Sequence, residues 1–391
     1  MEVHMKEKVD PVVDEAVETL NMKDGPARRK LLKGAGLFSA TAAASALISA
    51  CTSSSSSSGS ETKNVAGNFP STPKWQFWFV NHVTTNPFFT PTQYGLADAA
   101  ALLDLPTPKW GGSESSVVSQ MTNYMQTAIS AKADGIAVPV IDPTAFTAPV
   151  ASALNAGIPV ISYNADGSYV NGKPVIGTNR LAYVGQALFI SGQQMGTEIA
   201  KLIPGGGDIV IFIATPGTGN IQPRYDGAAS VLTGKGFTLN EVATGAATSA
   251  EQPAEKAYLL GHKSIKGAFA VDAGSTEFLG TTLQAAGLKV PSGGFDTLGN
   301  TLSNIQSGLM DFTIYQDPYL QGFLPTLYMY LYNISGGTLA PPDTDTGLTI
   351  ITKANAAPYT VSSRYQGSTT AQKYVPRPSG AIQSPPATTS T

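Results

Sequence analysis

The chain has 391 residues, 42% hydrophobic and 13% charged, with a formal net charge of −3, one cysteine and three histidines. That length holds a sizeable core and, at roughly 100–200 residues per domain, two lobes. The charge balance offers no basic field for nucleic acid, and the Cys and His count builds neither a disulfide framework nor a zinc site.

At the N-terminus, Arg28-Arg29 precede a run of small and apolar residues from Gly34 to Ala50, and Cys51 follows. The segment is similar to a twin-arginine export signal that ends in a lipobox, Ile48-Ser49-Ala50-Cys51. Residues 1–50 are therefore expected to be cleaved and Cys51 acylated. The run is shorter than the ~20 apolar residues of a stable membrane span. Residues 1–50 carry seven cations and seven anions, so the charge stays at −3 without them. The Ser-rich stretch 51–73 fits a flexible tether, and the Pro/Ser/Thr tail 373–391 is expected to be disordered.

From Trp75 onward, short apolar runs alternate with helical patterns. The runs are WQFWFV, GIAVPV, IPVISY, DIVIFIA, GAFAV and FTIY. Strands apolar through their whole length belong to parallel sheets covered on both faces. Helices are predicted over Thr92–Leu103, with Thr90 as N-cap, and over Ser115–Lys132, Thr144–Ala156, Leu181–Leu202, Gln222–Leu232 and Pro318–Tyr332. The class is α/β: two Rossmann-like lobes with parallel sheets, joined by a three-segment hinge. Lobe 1 is expected to comprise 74–178 and 317–345, and lobe 2 to comprise 179–316 and 346–372.

Ligands of open parallel sheets sit beyond the carboxyl ends of the strands. Those ends carry His82, Asn86, Phe88 and Phe89, then Asn164 and Asp166, then Arg224, Asp272, Asp296 and Gln316. Asn, Asp, Arg and Gln each make two directed hydrogen bonds, the geometry that vicinal hydroxyls receive. The C–H faces of a sugar ring pack on aromatic rings, which Phe88 and Phe89 supply. Asp272 and Asp296 could instead form the acid/base pair of a glycoside hydrolase. A G-x-S-x-G elbow, a Walker A loop and an H-E-x-x-H pair do not occur. DTDTG at 343–347 lacks the remaining ligands of a calcium loop, so neither a metal nor a cofactor is expected.

NPFF (86–89), ADGIAV (133–138), AGIPVISYNAD (156–166), PRYDG (223–227), FAVDAG (269–274), GFD (294–296) and FTIYQDPYLQG (312–322) occur in this order. With them the chain resembles the ribose/galactose type (type I) of periplasmic binding proteins from about residue 74 to 353. These are the substrate-capturing subunits of ABC sugar importers. The resemblance implies that Asn86, Phe88, Phe89, Arg224, Asp272, Asp296 and Gln316 contact a sugar or sugar alcohol. Asn164-Ala165-Asp166 stands where the ribose pattern has Asp-Arg, Pro139 replaces an Asn contact, and Asp272 replaces an Asn. The resemblance also implies a monomer without catalytic activity that hands its ligand to a permease and its ATPase, and touches the membrane only through its lipid. The alternatives are an exported carbohydrate-active hydrolase and a sugar or autoinducer sensor for a receptor.

Overall fold

The computed structural model describes residues 71–337 and 341–360. The export signal with Arg28 and Arg29, the lipobox Cys51, most of the tether and the C-terminal tail lie outside the described residues. Two six-stranded sheets are present. The first contains β1 (Phe77–Asn81), β2 (Lys109–Gly112), β3 (Gly135–Val140), β4 (Val160–Asp166), β7 (Ala182–Gly185) and β13 (Asp343–Asp345). Its order is β13-β7-β4-β3-β1-β2, all parallel. The second contains β8 (Gly207–Ile213), β9 (Phe237–Ala243), β10 (Gly267–Ala270), β11 (Ser292–Phe295), β12 (Phe312–Tyr315) and β14 (Thr349–Thr352). Its order is β14-β12-β11-β10-β8-β9, parallel except for the closing strand β14. A hairpin of β5 (Ser168–Val170) and β6 (Lys173–Val175) stands apart from both sheets.

The two orders are the same doubly wound pattern repeated, with β1 and β3 corresponding to β8 and β10. Each sheet therefore has one switch point where the winding reverses, and a crevice opens there at the carboxyl ends. The chain passes between lobes three times: after β7, after β12, and between β13 and β14. The expected boundary at residue 179 moves to a point beyond Gly185. Residues 182–185 pair with both β4 and β13, so they complete the first sheet. For the same reason the expected helix Leu181–Leu202 is two elements, β7 and then α4 (Leu188–Leu202).

Seven of the ten helices named here flank the sheets as α1 (Thr90–Leu102), α2 (Val118–Ser130), α3 (Pro143–Asn155), α4, α5 (Gln222–Leu232), α6 (Thr248–Gly261) and α10 (Leu320–Ser335). The shorter α7 (Ala273–Glu277), α8 (Leu279–Ala285) and α9 (Gly299–Ser307) complete the second lobe. The Asp142 carboxylate caps α3 by accepting from the Thr144 and Ala145 N–H groups. Thr90 does not cap α1 with its side chain. A 3-10 turn over Pro87–Phe89 runs into that helix, and the Asn86 side chain caps the turn by accepting from Phe88 N–H.

Both lobes use the same close helix crossing. Gly95 on α1 lies against the Tyr319 carbonyl, and Gly322 on α10 lies against the Thr92 carbonyl. In the second lobe, Gly192 on α4 lies against the Arg224 carbonyl and Gly227 on α5 against the Phe189 carbonyl. A Cβ at any of these four positions would overlap a backbone oxygen, which cannot rotate away as a side chain would. None of the four has a positive φ, so spacing rather than conformational freedom requires glycine. Gly322→Ala is expected to destabilise the protein by about 1–3 kcal/mol, the usual cost of overpacking. A thermal melt should show this as a Tm several degrees lower.

Candidate functional site

The crevices of the two lobes face each other and form one cleft with about 520 Å³ of empty space, part of it open to solvent. Lobe 1 supplies His82, Asn86, Phe88, Phe89 and Asn164, and lobe 2 supplies Arg224, Asp272 and Asp296, with Gln316 at the second crossing. Nine of the ten residues expected from the sequence thus meet in one place.

Asp166 is the exception. Its carboxylate accepts from Arg180 (Nη2–Oδ2 2.5 Å) and from the Ser162 hydroxyl (2.5 Å), and Arg180 also reaches Asp343 at 2.8 Å. The strand bulges opposite Val140, and the chain turns at once into the β5–β6 hairpin. These two features carry Asp166 to an ion pair at the sheet edge, away from the cleft.

Phe88 and Phe89 are both buried and meet edge to face at 4.7 Å between centroids. Phe89 also meets His82, Trp110 and Tyr163, so it is core and cleft wall together. Phe88 additionally lines a second gap, bounded by Pro87, Asp296, Leu298 and Pro318.

The Arg224 guanidinium is 3% exposed. It donates to the Val271 carbonyl (3.0 Å) and to Gln186 Oε1 (3.1 Å), and it lies 4.2 Å over the Phe295 ring. Burial lowers its pKa, and the charges of Asp296 and Asp272 oppose that shift. Burial pushes Asp296 up to about 6, against the pull of Arg224 and a bond from Gln316 Nε2 (2.8 Å). Asp272 is already engaged: its oxygens accept from Ala214 N–H and Ser275 N–H, both at 2.9 Å, capping α7 and tying it to the end of β8. An acid so held is poorly placed to shuttle protons, which weakens the acid/base pairing with Asp296.

Asn164, two residues before the end of β4, and Asp296, directly after β11, share left-handed backbone, at φ 62° and 74°. Asn and Asp tolerate that region better than most side chains. Asn164 Nδ2 donates to Gln321 Oε1 (3.1 Å), Gln321 Nε2 donates to Gln316 Oε1 (3.1 Å), and Gln316 Nε2 donates to Asp296. A chain of amides therefore connects the two strand-end residues through the hinge.

Sequence reasoning missed Asn220, whose loop brings the lobes together. Its Nδ2 lies 3.2 Å from His82 Nε2, and the neighbouring Gly219 N–H donates to the Ile141 carbonyl at 2.8 Å. Burial depresses the His82 pKa to about 3, so the ring is neutral. With Nε2 accepting from Asn220, the ring proton sits on Nδ1. Among the described residues, His82 Nδ1, Asn220 Oδ1, Arg224 Nε and Glu251 Oε2 are buried without a hydrogen-bond partner, and all four residues line this cleft.

Residues 77–336 match the periplasmic binding protein domain family. The xylose/arabinose-binding protein XylF of Sulfolobus acidocaldarius is 46% identical to the chain, with 94% of this chain and 95% of that protein covered. The chain belongs to the type I periplasmic sugar-binding protein family. Solved members share the fold. A solute-binding protein from Burkholderia graminis in complex with D-arabinose superposes with a TM-score of 0.66 at 24% identity, covering 75% of this chain and all of that one. A carbohydrate transporter protein from Acidothermus cellulolyticus in complex with myo-inositol gives 0.65 at 24% identity, with coverage of 74% and 97%. Among the described residues no helix is long and apolar enough to cross a membrane.

Two expectations follow. The neutral His82 ring contributes stability above its unfolded pKa of 6.5, and this is lost as pH falls from 6.5 toward 3. Asp296 acts in the opposite sense: its contribution is complete below 3.8 and is lost as pH rises toward 6. His82→Gln should therefore flatten the acid side of a Tm-against-pH curve between pH 6.5 and 4. Asp166→Asn should cost about 2 kcal/mol of stability through the half-lost Arg180 pair, while ligand affinity stays unchanged by calorimetry.

Proposed function

We propose that the protein is an extracytoplasmic solute-binding protein that captures a pentose of the xylose or arabinose kind between its lobes. It delivers that sugar to an ABC permease and makes or breaks no bond. The observation that carries this reading is the set of unpartnered polar atoms contributed by both lobes to one closed cleft. His82 Nδ1–H and Arg224 Nε–H are donors, and Asn220 Oδ1 is an acceptor. Sugar hydroxyls donate and accept at once, so they satisfy both kinds of group. Leaving such atoms unpaired costs about 1–3 kcal/mol each, and that cost is relieved when a hydroxyl arrives. The Phe88 ring provides the apolar face against which the sugar's C–H groups pack. The identity to the xylose/arabinose-binding relative supports the choice of pentose.

In this reading Asn86, Phe88, Phe89, Asn164, Arg224, Asp272, Asp296, Gln316 and His82 form the site, and Cys51 carries a lipid that keeps the protein at the outer face of the membrane. Titration calorimetry with xylose and arabinose tests the first part. Binding at one site per chain, with the sugar recovered unchanged, is expected. Asp296→Ala should weaken it about 10- to 100-fold, the value of one charge-assisted hydrogen bond. Turnover of a glycoside, or no heat with either sugar, would sink the reading. Cys51→Ser should release the protein from the membrane fraction; if it stays there, the anchor is something else.

A further inference from the structure

Glu251 belongs to the first turn of α6 and not to a strand end. Its side chain nevertheless reaches the cleft beside Asp272, Ala273 and Gly274, is 2% exposed, and leaves Oε2 without a partner among the described residues. The carboxyl fills the space above Gly274, where a Cβ would overlap Oε2 and the carboxyl carbon. Gly274 has no positive φ, so backbone freedom does not account for a glycine there. Room for the carboxyl does.

We propose that Glu251 is a direct ligand contact through Oε2, and that Gly274 is the notch through which it reaches the cleft. This assignment rests on the reading of the cleft as a sugar site.

The chemistry of the contact follows from the surroundings. Burial, then the charges of Asp272 and Glu277, pushes Glu251 up to about 8. Glu255, one turn further along α6 and fully buried, is itself held well above the carboxylate range by burial and by the charges of Asp272 and Glu251. The cation of this region, Arg224, acts on Asp272 and Asp296. At neutral pH Glu251 is therefore a neutral carboxyl that can both donate to and accept from a hydroxyl. Once ionised it loses its donor and adds a negative charge beside Asp272 and Glu277. Affinity should accordingly be full near neutral pH and fall as pH rises through about 8.

Calorimetry with xylose and arabinose on the purified protein decides the matter. Glu251→Ala should weaken binding about tenfold, the value of a buried hydrogen bond, without lowering the ligand-free Tm. Glu251→Gln keeps a donor and an acceptor that do not titrate, so it should bind within about threefold of the unsubstituted protein and lose the decline between pH 7 and 9. Gly274→Ala should weaken binding as much as Glu251→Ala, and should add little when combined with it, because the two residues act through one carboxyl. Wild-type affinity in Glu251→Ala, or full additivity of the two substitutions, overturns the assignment. If the unsubstituted protein binds neither sugar, the sugar reading itself falls; if it binds and Glu251→Ala binds equally, only this assignment does.

Discussion

A guanidinium withdrawn from water organises this molecule. Desolvating a charge costs several kcal/mol even after the protein relaxes, so a buried arginine must be surrounded by groups that compensate it. Around Arg224 these are the Val271 carbonyl at the end of one strand, Gln186 at the first crossing, the Phe295 face on the next strand, and the nearby charges of Asp296 and Asp272. Its own backbone is set by the Gly192 crossing. These groups come from three separate segments, the ends of β10 and β11 and the first crossing. One cation thus fixes the relative position of α5, β10, β11 and the start of the hinge, and what remains unsatisfied on it, Nε, faces the cleft.

The repetition between lobes has a physical basis in the same economy. Each sheet winds in the same order, is flanked by a pair of helices that touch backbone to backbone at glycine, and carries a left-handed Asn or Asp near the end of its fourth strand. Both of these residues line the cleft. Two such residues, one per lobe, approach the cleft from opposite sides. The amides of Gln321 and Gln316 connect them through the hinge.

Much of this was legible in the sequence because it depended on runs of residues. GIAVPV and FTIY are β3 and β12 to the residue, and Gln222–Leu232 is α5. The strand ends then named nine residues of the cleft. Elements without a continuous apolar run were invisible: β9, FTLNEVA, is an edge strand with alternating exposure, and α6 is a largely polar helix. LAYVGQALF is apolar except for Gln186 and conceals the break between β7 and α4, which strand pairing with β4 and β13 reveals. Asp166 looked like a cleft residue because a strand end cannot announce a bulge. Asn220 lies in a loop without a pattern of its own, and Glu251 comes from the first turn of a helix rather than from a strand end. Gly274 was a clue to Glu251, since a helical glycine without a conformational reason usually makes room for something.

The contact between Asn220 and His82, with its companion from Gly219 to the Ile141 carbonyl, joins protein to protein across the cleft. Bonds of this kind exist only when the lobes are shut, whether or not anything lies between them. Each raises the share of empty molecules already closed, and a ligand that selects the closed form then binds more tightly by the same factor. The same bonds must break before the ligand can leave. Retention and release are therefore set partly by residues whose partner is the opposite lobe, and whatever opens the cleft has to supply the work of separating them.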